Sequence, residues 1–333
     1  MAVTQLIDVV IPSEFTAYQV EQSVVSTAMY QSGALVKNAA ISEQLQAGAQ
    51  SFTIPFWKDL GETEADVTSD DPATLSTPQK FSAGRQIVRK SYLHQSWSDM
   101  SLASELSGDN PIQALNGRVL AYWDRQWERR IIASLLGVLA NNVANNASDM
   151  VIDISGLSGS SAKFNGSSVI DAALTMGDRL GDVKSIAMHS AIYGEALKND
   201  EIQFFKPSEN GIEIATYKGM ACIIDDNLTP ASGVYTTILM GYGAVGFGAS
   251  EPRTGYGTEL FRIPAAGNGG GQSVLHSRMN VGCHPIGHAW SDGTGGSAIA
   301  GDSPTIAELS AAAHWSRVAT SRKSIPIAFL ISK

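Results

Sequence analysis

Ser51-Phe52-Thr53-Ile54-Pro55-Phe56-Trp57 opens, and Lys80 to Trp97 closes, the stretch of this chain that decides its organisation. In the first segment Phe52, Ile54 and Phe56 alternate with smaller or polar residues, the period of a strand. Pro55 has no N–H to give a ladder, so the strand belongs at a sheet edge. An acidic, turn-rich run follows, with Asp59, Glu62, Glu64, Asp66, Asp70 and Asp71, closed by Pro72 and Pro78. The return leg carries Arg85, Arg89 and Lys90, and its alternation is broken where Ile87 and Val88 sit side by side. Gln50 to Trp97 therefore reads as a long two-stranded excursion with an acidic tip and a basic return leg.

A lone ribbon buries too little to offset its ordering entropy. This one nevertheless carries Phe52, Phe56, Trp57, Phe81, Tyr92 and Trp97, which are unfavourable to leave wet. It must fold back on its own domain or lie on another molecule. Segregated charge favours head-to-tail contact with a second copy, the kind of contact that closes rings or extends into shells. The residues expected at such an inter-subunit contact are Phe56, Trp57, Lys58, Asp59, Asp70, Asp71, Arg85, Arg89 and Lys90.

Outward from the ribbon, Pro12 to Gly48 has helical spacing interrupted at Gly33, and a short helix over about 98–106 stops at Gly108. The clearest element is next. Asp109 or Asn110 caps, Pro111 takes the first helical position, and Ile112, Leu115, Val119, Trp123, Trp127, Ile131 and Leu135 mark one stripe. Arg118, Asp124, Arg125, Glu128 and Arg129 are expected mostly on the other faces. A helix over 111–139 would be roughly 42 Å long, a spine for a sheet to pack on. Asn141 to Gly166 reads as a connection. From Ser167 helices (169–180, 190–197) alternate with strands (185–188, 211–216, 220–224, 234–240). Extended structure over 273–289, a small-residue linker over 293–303, a capped helix over 305–313 and an apolar strand over 325–331 complete the chain. No period of 20–50 residues repeats, which excludes solenoids and propellers.

Composition narrows the function classes. Of 333 residues, 44% are hydrophobic and 17% charged, a globular balance. Lys plus Arg number 23 against 32 Asp plus Glu, a net charge of −9, so the chain as a whole has no pull toward nucleic acid or anionic lipid. Cys222 and Cys283 make no disulfide scaffold, and a reducing cytoplasm is the expected place of synthesis. Met1 to Val10 has no signal-peptide pattern, and the apolar run Ile131 to Ala140 is far short of the ~20 residues of a bilayer span.

Two motifs suggest chemistry and neither is complete. Gly241-Tyr-Gly-Ala-Val-Gly246 matches a dinucleotide fingerprint, but Gly248 and Pro252 oppose the helix that must follow it. A nucleotide-binding enzyme using this turn is the alternative from another class. Cys283-His284-Pro-Ile-Gly-His288 looks like half a zinc site, yet only Cys222 could complete it, and packed histidines are the expectation. There is no nucleophile elbow, HExxH, CxxC or P-loop, and the acidic run lacks the order of a calcium loop. No catalytic residue, cofactor or metal is expected.

Further stretches, in order, carry a resemblance: Asp8 to Pro12 with Glu14-Phe15 and Tyr18; Gln31-Ser-Gly33; Pro55-Phe-Trp-Lys-Asp-Leu60; Gly108-Asp-Asn-Pro111; Ala121-Tyr-Trp-Asp-Arg125; Leu135-Leu-Gly-Val138. Beyond them come Met188-His-Ser190, Asp225-Asp-Asn-Leu228, Gly241 to Ala244, Ser303-Pro-Thr305, Ala307-Glu-Leu309 and Trp315-Ser-Arg-Val318. In this order the chain resembles the major capsid proteins of tailed bacteriophages, nearest a subfamily common in phages of Gram-negative hosts.

The resemblance implies an α+β chain with the Hong Kong ninety-seven-type fold. Its expected parts are an N-terminal arm with helices (1–49), an extended loop (50–97) and a peripheral domain (98–165) with spine helix 111–139. An axial domain (166–264) follows, then a return to the peripheral domain with the C-terminal strand (265–333). It also implies self-assembly into pentamers and hexamers of an icosahedral virion shell in the host bacterial cytoplasm, enclosing double-stranded DNA without reading its sequence. No long charged helical extension precedes the ribbon, which implies a separate scaffolding protein. A portal is implied, and a decoration protein is allowed. Lys58 lies where some relatives cross-link, but no motif marks a partner asparagine. A phage tail tube or sheath subunit, which would form filaments, is the third reading.

Overall fold

The computed structural model describes residues 35–37, 39–58, 60, 64–68, 70–73, 75–107, 111–205, 214–253, 257–295 and 298–333. The helical reading over Pro12 to Gly33, most of the expected arm, Asp59 and the Asp109/Asn110 cap lie outside them. No helix among the described residues is long and apolar enough to cross a membrane.

Two sheets share one long helix. The first has six strands in the order β1 (Leu35–Lys37), β10 (Val245–Ser250), β12 (Gln272–Pro285), β3 (Ala83–Met100) and β2 (Ser51–Trp57), with β11 (Thr258–Ile263) also on β12. Pro55 therefore sits on a terminal strand, where its missing N–H breaks no ladder. The second has seven strands in the order β4 (Val151–Asp153), β15 (Ile327–Ser332), β9 (Tyr235–Gly241), β5 (Val183–Met188), β8 (Met220–Ile224), β7 (Ile214–Tyr217) and β6 (Ile202–Phe205). A two-strand pair joins β13 (His288–Trp290) to β14 (Trp315–Arg317).

The strands divide differently from the expected boundary at residue 264. Strands β10 and β11 already belong to the six-stranded sheet, and the C-terminal β15 lies inside the seven-stranded one, between β4 and β9. Alternation explains why β15 is central. Ile327 and Phe329 enter one core while Ala328 and Leu330 enter another on the opposite face. Strand β9 repeats the pattern, with Ile238 and Met240 on one side and Leu239 on the other. The second face is covered by α4 (Gly166–Leu174), whose cap Asn165 accepts from Ser168 N at 2.9 Å, and by α5 (Ser190–Lys198).

The spine, α3 (Pro111–Asn145), covers the first face and runs six residues beyond the expected end. Asparagines are weak helix formers, but here tertiary hydrogen bonds carry the last turn. Asn141 donates to Ala312 O and Trp315 O at 3.1 and 2.6 Å, and Asn142 accepts from Met150 N at 3.1 Å. Val119, Trp123, Ile131 and Leu135 are buried as the stripe predicts. Glu128, expected off the stripe, is buried too. The short helix after the ribbon is α2 (Ser101–Ser107), and the one before Trp315 is α6 (Ile306–Leu309), closed by a Thr305/Glu308 capping box. Helix α1 (Ala39–Leu45) lies on β10, where a side chain at Gly248 would meet Ile41 at 2.8 Å.

Candidate functional site

Residues 51–57 and 83–89 pair as two strands whose outer end is exposed. Strand β2 pairs antiparallel with Ala83–Arg89 of β3, Phe52 opposite Val88 and Phe56 opposite Gly84. Along β2 the apolar side chains Phe52, Ile54 and Phe56 are only half-buried. At its far end Trp57 and Phe81 stack with centroids 4.7 Å apart, yet remain 68% and 52% exposed. Past them Lys58 N donates to Ser82 O at 3.0 Å, and Leu60, Val67 and Leu75 are all exposed. Asp70 and Asp71 are exposed, with Asp71 Oδ1 accepting from Ala73 N at 2.9 Å. Arg85 is exposed, and Asp59 lies outside the described residues.

Two expected contact residues are turned the other way. Arg89 is buried at the root of the ribbon, with Nε 3.1 Å from an Asp292 oxygen, Nη2 donating to Asp302 O at 2.8 Å and Nη1 to Gln50 Oε1 at 3.2 Å. Lys90 is buried with its Nζ donating to Ala47 O at 2.6 Å, 5.9 Å from the centre of the Phe52 ring. Burial lowers the Lys90 pKa, because the ammonium loses hydration there. The basic return leg thus anchors the ribbon to its own body instead of presenting charge to a neighbour, with Arg85 left outside.

Sequence reading missed the anchor's other half. The stretch read as a small-residue linker, 293–303, grips the root: besides Asp302, with Asp292 just before the stretch, Ser303 Oγ accepts from Tyr92 N at 2.9 Å. Arg130 of the spine ties both, donating to Ser91 Oγ at 3.2 Å and Pro304 O at 2.9 Å. Helical spacing gave no hint of this, because the partners come from about forty and over 170 residues away. The root is held, and the described residues beyond Lys58 are exposed.

The motifs that suggested chemistry resolve into packing. Gly241 to Gly246 turns from β9 straight into β10, so no helix follows to hold a pyrophosphate. Cys283 points at Ser134 Oγ, 3.0 Å away, whereas His284 on the opposite face meets Gln86 Oε1 at 3.0 Å. His288 Nδ1 bonds Ile286 O at 3.0 Å. Burial pushes both imidazoles down to about 4, so they are neutral at neutral pH. No group of three or more metal-ligating side chains exists among the described residues.

No protein-family model matches the chain. It is 32% identical, over 97% of its length and 96% of the relative's, to the curated major capsid protein of Bacillus phage SPP1. That relative comes from a Bacillus phage, not from the Gram-negative setting the resemblance suggested. Among solved structures the chain is similar to the cyanophage Pam1 capsid subunit, with TM-score 0.59 at 10% identity over 99% of both chains. It is also similar to a chain of Mycobacterium phage Bobi, with TM-score 0.55 at 10% identity over 100% of this chain and 99% of that one. These two are likenesses of fold. With a relative of 32% identity running the length of both chains, this chain belongs to the major capsid proteins of tailed bacteriophages, the subunits of the phage head shell.

Proposed function

We propose that the chain assembles with identical copies into pentamers and hexamers of an icosahedral head, and that the ribbon is the clasp between subunits. The single observation that carries this is the bare tip: Trp57 and Phe81 form a stacked, mostly exposed pair beyond the point where the chain's own body supports the ribbon. An apolar surface of that kind is favourable only when covered. Each contact can be modest, about 1,600 Å² or less, because every subunit makes several. The reading includes assembly in the host bacterial cytoplasm around a separate scaffolding protein and a portal, with room for a decoration protein. The net charge of −9 suits a container that encloses double-stranded DNA without gripping it. The role is structural, without catalysis or cofactor.

Replacing residues 59–78 by a short turn tests the clasp. Shells should fail to form while the monomer still folds, as judged by negative-stain microscopy and sedimentation. Normal shells from the shortened chain would refute it.

A further inference from the structure

Tyr122, Gln126 and Arg130 stand four residues apart on the spine, so they share one face over successive turns. That face borders a cleft of about 320 Å³. Its other walls include Tyr92 and His94, on β3 beyond the end of the β2 ladder, and Ser303 of the segment that grips the ribbon's root. Among the described residues no Asp or Glu borders the cleft, in a chain with 32 acids against 23 Lys and Arg.

Arg130 is the unusual wall, because only 9% of it is exposed. Its Nη1 donates to Ser91 Oγ at 3.2 Å and to Pro304 O at 2.9 Å, both neutral acceptors. Its Nε is buried without an acceptor, and no carboxylate pairs with the guanidinium among the described residues. Burial pulls its pKa down, and the neighbours acting against that are the Cys283 thiol and the Tyr122 phenol. A buried cation without a counter-charge is strongly unfavourable. Arg130 also borders an enclosed space of about 10 Å³ beside Arg89. That is room for a single water, which can accept an N–H but brings no negative charge.

We propose that this cleft binds a small oxyanion of the phosphate class, whose charge completes Arg130, with Gln126 and Ser303 as neutral donors. With Nη1 tied to Ser91 and Pro304, Nη2 is the guanidinium nitrogen left for an anion, and guanidinium recognises phosphate well. The Gln126 amide has no hydrogen bond among the described residues, and Ser303 Oγ, accepting from Tyr92 N at 2.9 Å, keeps its own proton to give. His94 Nε2 lies 3.1 Å from His276 Nδ1. Burial, then His276 and Arg278, lower the His94 pKa, so at neutral pH Arg130 is the one cation bordering the cleft among the described residues. The volume admits phosphate together with several waters, each of about 30 Å³ in the liquid.

Equilibrium dialysis of the full-length chain against labelled inorganic phosphate, with ionic strength held constant by chloride, tests this. Binding should saturate near one phosphate per chain, and the thermal midpoint should rise with phosphate concentration. Gln126→Glu sets a carboxylate one turn from Arg130, at the i, i+4 spacing of a helical ion pair. That built-in anion should weaken phosphate binding by about tenfold or more and abolish the rise in midpoint. If Gln126→Glu does not fold, Ser303→Asp makes the same comparison from the opposite wall, since its carboxylate can still accept from Tyr92 N. No saturable binding above the chloride control, or equal binding by wild type and the acidic variant, would overturn the proposal.

Discussion

Phe56 lies flat across the ribbon over Gly84: a Cβ built on Gly84 would come within 2.5 Å of the ring. The bare glycine backbone is the floor on which the ring rests, which is how an aromatic residue covers an edge glycine. Gly84→Val should eject Phe56 and weaken the ribbon by about 1 kcal/mol. Hydrogen exchange over 52–57 should speed up while the global melting temperature stays put.

The tip should behave as an interface and not as a core. Trp57→Ala with Phe81→Ala removes side chains that are mostly exposed in the single chain, so folding stability should move by no more than about 0.5 kcal/mol. Assembly should suffer far more, with the concentration needed for shells rising about tenfold or beyond. Sedimentation of matched wild-type and variant samples reads both.

Gly137 reverses a rule. Glycine to alanine inside a helix ordinarily stabilises by up to about 1 kcal/mol. Here the added Cβ would run into the Leu309 carbonyl and the Trp315 indole, whose Nε1 donates to that same carbonyl at 2.8 Å. Neither can retreat far, so Gly137→Ala should destabilise by about 1–3 kcal/mol net. Thermal unfolding should show a lower midpoint.

Acid should weaken the chain through two histidines. His284 and His288 are held down to about 4, in both cases chiefly by burial. His288 adds its charge to the effect on His284, and Arg317 and Arg322 add theirs on His288, against backbone hydrogen bonds acting the other way. The folded value lies below the unfolded one near 6.5, so the unfolded chain takes up protons first as pH falls. Stability is complete above about 6.5 and lost progressively toward about 4, by at most about 3 kcal/mol for each ring. Urea midpoints for wild type and His284→Gln across that window should converge as pH drops.

Much of the fold was legible because it is written locally. Alternation at Phe52, Ile54 and Phe56, the proline at position 55, the stripe Val119–Trp123–Ile131–Leu135 and the capped helix start at Thr305 are each a matter of a few neighbouring residues. Short strands such as β1, β4, β6 and β14 were not legible, since three or four residues carry no period and exist only because a partner strand is there. Which of the nominated residues lie exposed was half legible. Side-chain type nominated Trp57, Asp70, Asp71 and Arg85, which are exposed, but it nominated Arg89 and Lys90 just as readily.

By itself, then, the order of residues determined that a ribbon leaves the body, that a long helix follows it, and that charge is divided between tip and return leg. Only the tertiary structure decided where that charge goes. Arg89 finds Asp292 and Asp302 from two hundred residues away, Asn141 lengthens the spine by reaching Trp315, and Arg130 reaches Pro304. The physical reason is the same each time. A polar group may be buried only where its partner waits, and sequence distance does not say who the partner is.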